Sequence, residues 1–70
     1  MTKILTGKYD TAERAQNAFN DLINAGFDRE KVFLDRETSH LKVMTPNDAE
    51  REAREILDRH GPLEVFQREA

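Results

Sequence analysis

Two histidines, His40 and His60, a single tyrosine, Tyr9, and a run of carboxylates in the second half are the side chains suited to chemistry in this 70-residue chain. A zinc site needs three or four converging ligands, and His40 and His60 fall on different predicted elements with no HxxxH or HxH spacing, so no metal is expected. They read instead as a surface residue at a strand end (His40) and a last-turn helix residue near the negative helix pole (His60). Glu50, Glu52, Glu55 and Asp58 could move protons. Arg51, Arg54 and Arg59 are interleaved with them, however, and ion pairing on a solvated helix face accounts for the cluster. Cysteine is absent, which removes disulfides, thiolate metal sites and cysteine nucleophiles. Gly7, Gly26 and Gly61 are isolated, and neither GxGxxG nor GxxxxGK occurs, so no phosphate cradle is indicated. On these grounds no catalytic residue and no cofactor is assigned.

The elements that must position these side chains follow from caps and periods. Residues 3–9 alternate as a strand. Asp10, with Glu13 three positions on, has the capping-box spacing that opens a helix over 11–25. Ala12, Ala15, Phe19, Leu22 and Ile23 share one face of that helix, Gly26 ends it, and Phe27 can fold back onto Leu22. Strands follow at 32–36 and 41–44, joined by a hairpin through Glu37, Thr38 and Ser39. A second helix over 47–60 starts either with Thr45 as cap and Pro46 in the first turn, or with Asn47 as cap and Glu50 at N3. Ala49, Ala53, Ile56 and Leu57 form its apolar face, Gly61-Pro62 stops it, and residues 63–67 make the last strand.

The order βαββαβ with one tight hairpin predicts a single α+β domain, residues 1–70, of ferredoxin-like architecture: one antiparallel sheet in order 4-1-3-2 with both helices on one face. Alternation then sorts the strand residues. Leu5, Gly7, Tyr9, Val32, Leu34, Leu41, Val43, Leu63 and Val65 face the helices, with Gly7 allowing close helix approach. The other face carries Ile4, Thr6, Lys8, Phe33, Asp35, His40, Lys42, Met44, Glu64 and Phe66. Ile4, Phe33, Met44 and Phe66 form a candidate apolar interaction patch at one end of it. RNA-recognition domains of this topology stack bases on aromatic residues of the two central strands. Here the outward Phe residues fall on edge strands of a chain with net charge −3, so no nucleic-acid partner is expected.

Gly7-Lys8-Tyr9-Asp10 with Ala12, Ala15, Ala18, Leu22 and Gly26-Phe27-Asp28, and later Ala53, Ile56-Leu57 and His60-Gly61, resembles small bacterial general-stress or heat-induced protein domains. The resemblance implies a ferredoxin-like domain and carries over no catalytic residue. No apolar run approaches the roughly 20 residues a bilayer requires, and the N-terminus reads as a strand, so a cytoplasmic, non-membrane location is expected. The functional expectation is a non-enzymatic interaction module using the open sheet face for a homodimer or another protein partner. A small-ligand regulatory domain with its site at a dimer interface is the alternative, followed by a dimeric ferredoxin-like enzyme using His40 or Tyr9.

Overall fold

Leu5, Gly7 and Tyr9 alternate with Ile4, Thr6 and Lys8, and the period of two places the first set against two helices. The computed structural model describes residues 2–69. Its elements are β1 (Thr2–Lys8), α1 (Ala12–Asn24), a 3-10 turn (Arg29–Lys31), β2 (Val32–Asp35), β3 (His40–Pro46), a second 3-10 turn (Asn47–Ala49), α2 (Glu50–Asp58) and β4 (Glu64–Glu69). The sheet has the order β2-β3-β1-β4, with every neighbouring pair antiparallel, as the ferredoxin-like reading requires. Leu5, Tyr9, Ala15, Ala18, Leu22, Val32, Leu41, Val43, Ala53, Ile56 and Leu57 close the core between sheet and helices.

Both helix starts differ from the sequence reading. Thr11, not Asp10, caps α1. Its hydroxyl accepts from the Arg14 N–H at 3.1 Å, while the Asp10 carboxylate pairs with the Arg14 guanidinium at 3.3 Å. Thr is a good cap, though somewhat weaker than Asp, and the N3 amide it binds fixes the start one residue later. Before α2, β3 runs on through Thr45 and Pro46 because the Thr45 side chain is buried in the core, and a 3-10 turn then spans Asn47–Ala49. Neither Thr45 nor Asn47 caps α2, which begins at Glu50 without a side-chain cap.

The helix stops follow the expected chemistry. Gly26 takes φ +104°, its N–H bonds the Ile23 carbonyl, and the Phe27 N–H bonds the Leu22 carbonyl at 3.1 Å. This paired closure is the Schellman motif, and the Phe27 ring packs against the core cluster. One apolar placement fails, and a second, Phe19, packs on the core without being enclosed by it. Leu63 is 69% exposed because it precedes β4 in the bend after Pro62, where no element covers it. Phe19 is only half-buried, with the Arg29 guanidinium 5.7 Å from its ring centre, and Ala18 takes the fully buried position on that face.

Gly7 marks the tightest packing. A Cβ there would lie 3.0 Å from the Tyr9 ring and 3.4 Å from a Leu57 methyl. The missing side chain lets the Tyr9 ring lie flat along β1, under α2, and deliver its hydroxyl to the Leu57 carbonyl at 2.7 Å. Gly7→Ala is therefore expected to cost about 1–3 kcal/mol as an overpacking substitution. Urea denaturation checks this, and an unchanged midpoint would show that the ring can move aside freely.

Candidate functional site: the open sheet face and the cleft beside it

The antiparallel registers arrange the open face in rows, three of which hold the expected patch and its polar border. The first pairs Met44 with Ile4 and Ile4 with Arg68. The second runs Phe33, Lys42, Thr6, Phe66, and the third runs Asp35, His40, Lys8, Glu64. Phe33 and Phe66 therefore occupy the middle row on opposite edges of the sheet, with Lys42 and Thr6 between them. Phe33 is diagonal to Met44 and Phe66 is diagonal to Ile4, a spacing of about 7–8 Å that aromatic side chains span. The four residues of the expected patch thus trace an arc, Phe33, Met44, Ile4, Phe66, around a polar centre. Phe33 is 51% and Phe66 42% exposed, while Ile4 and Met44 are half-buried by their neighbours.

Charge is built into the arc. The Lys8 ammonium stands 4.9 Å over the Phe66 ring, and its cross-strand partner is Glu64. A cation over an aromatic face is attracted by the ring's negative quadrupole, which holds Phe66 close to the sheet. His40 lies beside Lys8 and opposite Asp35 at the polar end of the face, where the sequence placed it.

Tyr9 and His60 are drawn into structural roles. The Tyr9 hydroxyl donates to the Leu57 carbonyl in the last turn of α2, and burial, assisted by Asp58, raises its pKa well above the ordinary value of a phenol. His60 lies just beyond the α2 C-cap, and its ring bonds the Asp21 carboxylate of α1 at 3.0 Å. Arg59 reaches the same oxygen at 3.3 Å, so Asp21 ties the end of α2 to α1. The expected interaction of His60 with its own helix pole is replaced by this bond between helices. Among the described residues no group of three or more His, Cys, Asp or Glu converges as metal ligands. No helix of the described residues is long and apolar enough to cross a membrane.

Sequence reasoning missed a cleft. An open cavity of about 390 Å³ lies between the end of α1 and the β3–α2 connection, lined by Phe27, Asp28, Lys31, Met44, Thr45 and Glu52 among others. It forms because β3 runs two residues past the expected strand end while Gly26 and Phe27 turn the chain away. The signal was Thr45, whose burial in the strand cannot be told from a helix cap by residue type. Met44 belongs both to the cleft wall and to the apolar arc.

No family model matches the chain, and no curated protein or solved structure matches it either.

Because Tyr9 is the sole tyrosine, phenolate absorbance reports it alone. Its folded pKa is raised, so its contribution to stability is complete below the unfolded value of about 10 and is lost as pH rises above that. Phenolate absorbance is expected to develop together with alkaline unfolding, and Tyr9→Phe should remove that part of the alkaline loss of stability. A phenol that titrates near 10 in the folded protein would contradict the buried hydrogen bond.

Proposed function

We propose that this chain is a small non-enzymatic protein-interaction module that works by covering its open sheet face with a second protein surface, a copy of itself or another protein. The observation that carries this reading is the arc of Phe33, Met44, Ile4 and Phe66 on a face to which no helix is applied, with two large aromatic side chains left half in water. Large apolar side chains joined into one exposed patch are the usual mark of a contact surface. The polar row of Asp35, His40, Lys8 and Glu64 beside them supplies the rim that gives such a contact its orientation. A cytoplasmic location and a part in a bacterial stress response belong to the same proposal. Their support is the likeness of the Gly7-Lys8-Tyr9-Asp10 and Gly26-Phe27-Asp28 segments to small bacterial stress-protein domains.

The cleft favours a second reading, a small-ligand regulatory domain. Its volume lies within the range of roughly 300–1,000 Å³ common for ligand sites, and Lys31, Asp28 and Glu52 bring both signs of charge beside the apolar Phe27. Because Met44 is shared, a ligand there would bear on the open face. The open-face reading ranks first because the cleft is shallow and the one buried polar side chain in its wall, Thr45, already donates its hydroxyl to the Pro46 carbonyl.

Phe33 provides the test, since it lies on β2, points away from the helices and is far from the β4 edge. In amide and methyl spectra recorded from low to high micromolar protein, concentration-dependent shifts are expected on Phe33 and Met44, the part of the arc away from β4. Phe33→Glu should abolish them without loss of secondary structure. Open-face resonances that do not change with concentration would exclude the second copy and leave only a foreign protein for this face. Shifts confined to the helix surface would contradict the proposal outright.

A further inference from the structure

β4 is the long uncovered edge of the sheet. Of its six residues only Val65 is half-buried and the rest are exposed, and on its helix side Gln67 meets the Arg54 guanidinium at 2.7 Å rather than an apolar neighbour. Alternate residues of an edge strand direct their N–H and C=O groups outward, a template for another strand unless Lys, Pro, a bulge or short length blunts it. The other edge, β2, is only four residues long. β4 has no Lys and no Pro within it, and its centre, Val65-Phe66-Gln67, is uncharged.

We propose that β4 pairs antiparallel with β4 of a second copy, in the register that sets Phe66 opposite Phe66. The strand's own sequence selects that register. A twofold axis through the edge requires directly opposed residues to share a face, so their numbers must sum to an even value. With Phe66 on the axis, Glu64 falls opposite Arg68 of the second copy and Arg68 opposite its Glu64, both on the open face. Val65 and Gln67 oppose one another on the helix side. Both charge pairs are attractive, and the two aromatic rings meet at the centre. Sliding the second strand by two residues either way loses this: Phe66 then falls opposite Glu64 or Arg68, and the two Glu64 or the two Arg68 side chains become diagonal neighbours across the axis. Within one chain Glu64 neighbours Lys8, so the row across the joined edge alternates in sign: Lys8, Glu64, Arg68 of the second copy.

The result is an eight-stranded sheet in which the two open faces become one surface with paired Phe66 rings at its middle. This pairing is separate from the use of that surface by another protein, because it buries the edge and leaves Phe33 free. Few residues are involved, so a weak dimer in the micromolar range is expected, at the small end of specific interfaces.

Sedimentation velocity on charge-exchange variants tests the register. Wild-type protein should shift from monomer to dimer between low and high micromolar concentration. Glu64→Arg and Arg68→Glu each place two like-charge pairs across the edge and should weaken the dimer about tenfold or more. The double exchange, E64R with R68E, should restore it, and circular dichroism should show all variants folded. Phe33→Glu should keep the edge-to-edge β4 dimer even where it removes association through the open face, which separates the two interactions. A monomeric wild type, single variants that dimerise normally, or a folded double variant that stays monomeric would overturn the proposal.

Discussion

Two helices, one of 13 and one of nine residues, must supply all the cover for a four-stranded sheet, and they can cover only one side. Everything else in the molecule follows from that constraint. A domain of this size buries only about 60% of its unfolded surface. The apolar residues are therefore concentrated where both helices reach: Leu5 on β1, Leu41 and Val43 on β3, with Leu22, Ile56 and Leu57 descending onto them. α2 is the shorter helix. Its buried residues Ala53, Ile56 and Leu57 are spent on the centre of the sheet, and β4 is left at the margin with a polar helix side. The uncovered face and the uncovered edge thus have one origin, a helical layer too small for its sheet.

What coverage exists is fixed by a few specific contacts. Gly7 leaves room for the Tyr9 ring, and the ring carries a hydroxyl to an α2 carbonyl that its own helix leaves without an amide four residues further along. Position along the helix layer is set by Asp21, which receives both Arg59 and His60, and by Gln16, which accepts from Arg36 of the hairpin at 2.7 Å. Exposed pairs of this kind contribute little stability individually, about 1 kcal/mol or less.

Strand order and the inward set on β1 and β3 were legible in the sequence because alternation and turn residues agree there. Gly26 and Phe27 were legible as a helix stop with an apolar contact back to Leu22, because glycine takes the left-handed position without a Cβ clash, while the paired hydrogen bonds emerged from the fold. The misread positions are those where two local solutions use the same residue types. Asp10 and Thr11 are both good caps, and Thr45 suits a buried strand end as well as a cap. Leu63 obeys the parity of β4, but whether a helix overhangs that position depends on the length of α2, which its residue types do not set. On the candidate site, parity placed Ile4, Phe33, Met44 and Phe66 on one face, while their arrangement as an arc depends on pairing register and emerged only from the fold. The self-complementarity of Glu64 and Arg68 about Phe66 is written in the sequence. It acquires meaning only once β4 is known to be an edge.

The most direct examination of an uncovered face and edge as the working surface is an isotope-filtered nuclear Overhauser experiment on a mixture of labelled and unlabelled wild-type protein at high micromolar concentration. Contacts between molecules are expected from Phe66 and its neighbours on the open side of the sheet, with the α1 and α2 surfaces silent. Contacts arising from the helical layer would contradict it, and none at all at that concentration would overturn the β4 pairing and leave the face to a foreign protein.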